Sequence, residues 1–365
     1  MFGQKHVLAR EGGVEIAVKE LAVRMAAKGH HVICYDRKSP PVNGAALDGS
    51  RRYGGVSIVT VWTVRRKGLA AVTSSFAAAL ISAFGRADIV HIHAEGPAAM
   101  CRLPKLTGKR VIVTVHGLDH ARAKWGGFAS KYLLWGEKQA VRHADEIIVL
   151  SRHMQEYFRN EYGRGTVFIP NGVTKPTIRE ADAIKEKWGL TKGSYVLFVG
   201  RLVPEKGLRI LLEAWKELRT EKKLVIVGES SDTTEYAEEL KRMSIDTVLF
   251  VGFQQGEVLD ELYSNAFLFC LPSELEGMPL SLLEAMSYGS CCVVSDIPEC
   301  AEIVEDKAVT FPKGDPDALR RTLQELLDDP ARAEKYRRAS AEFVLKKYSW
   351  DDAAEKTLEL YRGRS

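Results

Sequence analysis

The 365-residue sequence contains no C-x-x-C pair, no G-x-G-x-x-G loop and no apolar run long enough to span a bilayer. Each absence removes a class of function. Six cysteines are present (Cys34, Cys101, Cys270, Cys291, Cys292 and Cys300), most of them inside apolar runs, which reads as buried reduced thiols in a cytosolic protein. No histidine or second cysteine pair stands near Cys291–Cys300 to complete a metal cluster. Without the glycine fingerprint a nicotinamide dehydrogenase is disfavoured. The one D-x-D match, Asp315-Pro316-Asp317, precedes a helical pattern at 318–327, where Asp, Pro and Asp suit a cap and a first turn. We therefore read it as structural and expect no metal at the site. We expect no leader, and the sequence shows no repeat, linker tract or low-complexity segment. The Ala/Ser-rich stretch 68–85 reads as an amphipathic helix. What remains is an ordinary globular composition, 45% hydrophobic and 27% charged, in a chain comfortable for two domains.

The most informative stretch that is present runs from Pro272 to Cys292, PSELEGMPLSLLEAMSYGSCC. Pro279 suits the first turn of a helix and Gly289 its C-terminal cap. The N–H groups near Gly277, Met278 and Leu280 would then form the positive end of a helix, where a phosphate binds. Glu284 follows about five residues further in, roughly 7 Å along the axis at ~1.5 Å per residue. From there its carboxylate could accept both hydroxyls of a ribose, while Glu276, just before the helix, would face a sugar. Two glutamates alone would suit a solvated surface helix. The Gly-Met-Pro turn, the apolar run and the glycine cap favour a ligand site.

A second motif follows the buried-strand pattern Tyr195-Val-Leu-Phe-Val199: Gly200-Arg201-Leu-Val-Pro-Glu205-Lys206-Gly207, then a helical pattern to Leu218. Arg201 supplies a planar fork and Lys206 a point charge, together suited to a diphosphate. The competing reading is a surface loop in which Lys206 pairs with Glu205. Either motif alone could be accidental; both in this order are not.

The GRxxxEKG segment at Gly200–Gly207 and the Ex7E segment Glu276–Glu284 resemble family 4 of the retaining GT-B glycosyltransferases. Gly12-Gly13, Val115-His116-Gly117 and Pro170-Asn171-Gly172-Val173 agree. The nearest subset looks like bacterial capsule, exopolysaccharide and O-antigen enzymes, including rhamnosyltransferase-like members. The resemblance implies an α/β GT-B fold, two doubly wound Rossmann-like domains facing across a cleft. Residues 1–170 would bind the acceptor and 171–347 the nucleotide sugar, with 348–365 a helix returning to the N-terminal domain. By the same resemblance Gly13 lets the backbone approach the donor diphosphate, Glu15 faces the acceptor side, and His116 lies beside the reacting carbon. Arg201, Lys206 and the helix start would substitute for a metal on the diphosphate.

Alternating strand and helix patterns throughout also argue for parallel sheets covered on both faces. Strands are expected near His31–Tyr35, Val56–Val61, Ile89–His93, Arg110–Val115 and Glu146–Leu150, with Val167–Ile169 last in the first half. A doubly wound domain needs a strand before its Gly-rich turn, yet only Met1 to about Val7 precedes Gly12. We therefore expect a start placed a few codons late or a clipped first strand, and a sheet weakened at its centre. Ligands in such domains sit beyond the carboxyl ends of the strands. That rule selects Gly12–Glu15, His93-Ala94-Glu95-Gly96-Pro97 and His116-Gly117-Leu118-Asp119, with His93, Glu95 and Asp119 as acceptor contacts. His91 and His93 share one face of a strand; a packed or acceptor-facing role suits them better than a metal pair.

Charge divides the chain. Residues 1–170 carry 25 Lys+Arg against 13 Asp+Glu (+12), and 171–365 carry 27 against 35 (−8), together the +4 of the whole. The basic excess includes Arg51, Arg52, Arg65, Arg66 and Lys67, then Lys105, Lys109, Arg110, Arg122 and Lys124. It predicts peripheral attachment to the anionic cytoplasmic face of the plasma membrane, where a polyprenyl-diphosphate-linked saccharide acceptor would lie. No stacking aromatics or nucleic-acid motif accompany it, which argues against nucleic acid. The expected activity is metal-independent, retaining transfer of a hexose or deoxyhexose from a nucleotide sugar. A glycoside hydrolase would not need the Arg201/Lys206 loop. A GT-B nucleotide-sugar epimerase and a non-catalytic GT-B partner subunit are the remaining alternatives.

Overall fold

The computed structural model describes residues 1–9, 12–38, 51–64, 66, 68–121, 127–230 and 234–363. Arg65, Lys67, Arg122 and Lys124 of the basic set lie outside the described residues. The chain forms two compact units, Met1–Gly172 with Trp350–Ser365, and Val173–Ser349.

The second unit is built on one six-stranded parallel sheet. Its strands are β8 (Tyr195–Val199), β9 (Lys223–Val227), β10 (Val248–Gly252), β11 (Leu268–Leu271), β12 (Cys291–Ser295) and β13 (Val309–Phe311), in the order β10-β9-β8-β11-β12-β13. β11 and β12 are buried along their whole length, as expected of parallel strands covered by helices on both faces. The strand order reverses between β8 and β11, paired through Leu268–Val196 and Phe269–Leu197. That is the topological switch point, where the loops leaving two neighbouring strands diverge and open a crevice. The loops leaving these strands carry the two motifs.

The first unit holds β1 (Ile33–Arg37), β2 (Arg52–Tyr53) and β3 (Val56–Val61) in the order β1-β3-β2. A separate ladder comprises β4 (Ile89–His93), β5 (Arg110–Val115), β6 (Glu146–Val149) and β7 (Val167–Phe168), in sequence order. Between them lies Phe2, which bridges Tyr35 of β1 and Ile92 of β4, both in parallel sense. Its N–H donates to His91 O (3.1 Å) and its carbonyl accepts from His93 N (2.9 Å). A single residue thus stands between the two blocks, at the place where a doubly wound sheet carries its first strand. Phe2 is itself buried in the main core with Val90, Ile92, Val113 and Ile147.

The final helix, Trp350–Arg362, belongs to the first unit. Asp351 and Glu355 pair with Arg24 and Lys28 at 2.8 and 2.5 Å, and Leu360 O accepts from Arg110 Nε at 3.0 Å. All six cysteines are free and buried, and burial pushes the thiols of Cys34 and Cys291 up to about 12.

Candidate active site

In the second unit, two glycines set the loops at the sheet's edge, Gly207 joining the two motif loops and Gly228 seating the loop after β9 on the first motif. Gly207 has φ +67°, and a Cβ there would fall 1.9 Å from Pro272 O; Gly228 has φ +139°, and its Cβ would fall 1.9 Å from Gly200 O. Only glycine allows either contact. The loop after β8 therefore lies directly on the loop after β11, and Glu274 N donates to Glu205 O at 2.9 Å.

This seam brings Lys206 to Glu276. Lys206 Nζ lies 2.5 Å from Glu276 Oε1, with the side chains 12% and 8% exposed. The same oxygen accepts from Ser273 Oγ at 2.6 Å, and Ser295 Oγ donates to Ser273 O. The lysine pairs across seventy positions of sequence with the glutamate of the other motif. Arg201 is half-buried in the same loop.

The helix after the second motif is Leu280–Ser287, one residue later than its sequence predicts. Pro279 is the N-cap, with φ −71° and ψ 105°, and its carbonyl accepts from Leu282 N (3.1 Å) and Leu283 N (3.3 Å). Gly277 and Met278 are buried in the turn before it. Helix geometry leaves the N–H groups of Leu280 and Ser281 without an i−4 helical carbonyl, at the positive end. At the far end Gly289, φ +71°, closes the helix: Gly289 N donates to Met286 O and Ser290 N to Ala285 O, at 2.9 and 3.0 Å. Glu284 is half-buried and accepts from Tyr263 OH at 3.1 Å. Tyr263 stacks on Tyr288 (5.2 Å, 16°), whose hydroxyl donates to Asp260 at 2.6 Å. Sequence reasoning missed Tyr263 and Asp260, which arrive from the helix Glu257–Asn265. Tyr288 carries a signal, standing four residues after Glu284 on the same helical face.

In the first unit His93 and His116, at the carboxyl ends of β4 and β5, are in contact. His93 Nδ1 lies 3.0 Å from His116 Nε2, and the rings are 5.3 Å apart. His93 is fully buried, so it meets His116 from beneath and not from the surface. His91 stacks on His93 at 4.2 Å. Both nitrogens of His91 are committed, Nδ1 to Tyr361 OH and Nε2 to Thr114 Oγ1, each at 2.7 Å. That rules out His91 as half of a metal pair. Burial drives both histidines well below the usual imidazole range, so they are neutral.

Glu95 is fully buried. Its Oε2 accepts from His120 N at 3.1 Å, and both its oxygens lie 3.3 Å from His120 Nδ1. Burial pushes its carboxyl up to about 8. Asp119, half-buried in the turn after Gly117, is close enough to raise it further. Glu15, buried on the helix Gly13–Ala27, accepts from Lys5 N at 2.9 Å. Asp315 caps its helix by accepting from Ala318 N at 2.8 Å, the structural role read from its sequence.

Comparison with known proteins places each unit. Residues 11–175 match the model described as Glycosyltransferase Family 4, and residues 180–343 match Glycosyl transferases group 1. A phosphatidyl-myo-inositol mannosyltransferase of Mycobacterium leprae is 27% identical over 96% of this chain and 92% of its own. An O-antigen chain mannosyltransferase B of Escherichia coli is 30% identical over 49% of this chain and 48% of its own. The fold is that of the Anabaena HepE protein crystallised with UDP-glucose, at TM-score 0.83 and 16% identity, over 100% of this chain and 99% of that one. The protein is thus a glycosyltransferase of the GT-B fold. More narrowly, it belongs to the group 1/family 4 glycosyltransferases, with one family domain in each unit.

Proposed function

We propose that this glycosyltransferase moves a hexose or deoxyhexose from a nucleoside-diphosphate sugar to a lipid-linked saccharide, with retention, in bacterial surface-polysaccharide assembly. The observation that carries the donor assignment is the Lys206–Glu276 pair at the switch point of the second unit's sheet. A lysine held against a carboxylate beside a helix start is a preformed cation for a departing diphosphate, and Arg201 adds a second. In this reading no metal is needed on the diphosphate. Gly277, Met278, Pro279 and Leu280 shape the approach to the phosphates. Glu284, backed by Tyr263, takes the ribose hydroxyls, and Glu276 faces the sugar. Catalysis would rest on positioning and charge neutralisation.

The first unit would supply the acceptor side. His116 would face the reacting carbon, its ring oriented by His93 from below. In this reading Gly13, Glu15, Glu95 and Asp119 serve the donor approach and the acceptor beside it. The O-antigen relative supports the surface-polysaccharide assignment. The M. leprae relative, named for a phospholipid acceptor, supports the lipid one.

Among the described residues no helix is long and apolar enough to cross a membrane. Peripheral attachment is supported by the helix Leu69–Phe84, which turns its small residues inward and its large ones outward. Ser74, Ser75, Ala78, Ala79, Ser82 and Ala83 are buried, whereas Leu69, Phe76, Ile81 and Phe84 are exposed, Phe84 to 80%. Lys109 Nζ donates to Gly85 O at its C-terminal end, and Arg66 stands exposed before its start. Lys105 and Arg110 contribute less to any lipid surface, being paired with Asp145 and Glu146.

The test is release of free nucleotide from a panel of nucleotide sugars, with and without a polyprenyl-diphosphate-linked acceptor. Acceptor-dependent release, with the anomeric configuration kept by NMR, is expected. Release without any acceptor, or inversion, would overturn the reading. Nucleotide affinity unchanged by EDTA would support the metal-free diphosphate site.

A further inference from the structure

We propose that Glu95, His120 and Glu137 form a binding site for one divalent metal ion of the zinc class, in the first unit and separate from the diphosphate chemistry above. One carboxylate or imidazole atom from each lies within 4.8 Å of the others, and both glutamates are fully buried. The three come from separate segments: the helix Glu95–Ala98 after β4, the turn Asp119–Ala121 after β5, and the helix Gly127–His143. Gly136 permits the meeting, since a Cβ there would fall 2.1 Å from Glu95 O.

The spacing suits a shared ion better than direct hydrogen bonds. Ligands at about 2.1 Å from a tetrahedral ion stand roughly 3.4 Å apart. His120 Nδ1 lies 3.3 Å from either oxygen of Glu95 and 3.7 Å from Glu137 Oε2. The last is too long for a hydrogen bond. Glu137 Oε2 is buried and has no hydrogen-bond partner among the described residues, an arrangement a lone carboxylate oxygen does not keep without cause.

Glu137 Oε1, by contrast, accepts from both Tyr157 OH (3.0 Å) and Tyr162 OH (2.5 Å). Two hydroxyls on one oxygen fix the carboxylate so that the other points at His120, the supporting arrangement found behind metal ligands. Glu95 Oε2 is fixed likewise by His120 N. A divalent cation balances the two carboxylates, and a neutral imidazole completes a set of nitrogen and oxygen donors that zinc accepts. Three protein ligands leave a fourth position for water or an oxygen ligand. The ion would pin the turn that follows His116 to two helices.

Full-length protein, stripped with a chelator, should take up one Zn2+ per chain from buffer containing that ion alone, read by calorimetry and elemental analysis, with a raised Tm. Glu137→Gln, nearly isosteric, should lose the ion while keeping its nucleotide affinity in the second unit. Tyr162→Phe should weaken uptake about 10–100-fold. Uptake unchanged in Glu137→Gln would show adventitious binding elsewhere and overturn the proposal. So would wild-type protein that takes up no ion. Should Glu137→Gln fail to fold, cobalt in the wild-type chain decides: intense visible bands of a four-coordinate ion support the site, and the weak bands of a six-coordinate one refute it.

Discussion

The two units solve the same architectural problem differently. The second carries a continuous six-stranded ladder, and its candidate site consists of local motifs joined by one ion pair across the switch point. The first carries a three- and a four-stranded block bridged by Phe2, and its polar residues are gathered from distant segments into a buried network. Where the sheet is whole, function can rest on short, readable loops. Where it is thin, the polar groups are fixed by each other, and the sequence carries weaker signals of them.

The sharpest way to break this contrast is Lys206→Ala. Turnover should fall about 10²–10³-fold, as for loss of one transition-state charge partner. Stability should also fall by about 3–5 kcal/mol, because Glu276 is left buried without its counter-charge, only Ser273 Oγ still donating to it. Adding Glu276→Ala should restore part of that stability but none of the turnover. Two additive losses in chemical denaturation would show that the pair is not the tie between the loops.

Next in size is Phe2→Ala, which removes a 1%-exposed side chain from the core and should cost about 3–5 kcal/mol. Calorimetry should show a transition for the first unit moving to lower temperature while nucleotide binding persists up to the second. A single cooperative transition that carries nucleotide binding down with it would erase the distinction between the units.

Glu284→Ala should leave the fold intact and weaken nucleoside diphosphate binding by about 1.5–3 kcal/mol, the value of a charge-assisted acceptor. Unchanged affinity would remove Glu284 from the ribose. The smallest effect on the fold is expected from Phe84→Ser, within about 0.5 kcal/mol at an exposed position. Binding to anionic vesicles should nonetheless drop, and wild-type binding should weaken with salt. Equal binding of wild type and variant would clear this helix of any part in membrane attachment.

Most of the strands were legible because buried parallel strands read as unbroken apolar runs, as at Tyr195–Val199 and Arg110–Val115. Pro279 was misplaced by one residue because proline fixes φ near −70° at either position; only ψ, which proline leaves free, separates an N-cap from a first turn. Lys206 and Glu276 were each legible as ligand-facing groups, but their pairing depends on β11 lying beside β8, a matter of strand order that no local window contains. Tyr263, Asp260, His120 and Glu137 were missed for the same reason. A tyrosine or glutamate within a helix looks alike whether it faces water or a partner brought in by the fold.

The two backbone bonds that Phe2 shares with β4 also define where the first unit can open. A local opening at Phe2 would break them and leave the bonds within the β4–β7 ladder whole. In native-state amide exchange the protons of Phe2 and His93 should therefore escape through a partial opening, with less protection than those of Val113 or Ile148 deeper in the ladder. His93 holds both the outermost of these bonds and the imidazole that meets His116. A loosening of that backbone bond would therefore free the residue that supports His116, and the seam and the histidine pair would open together.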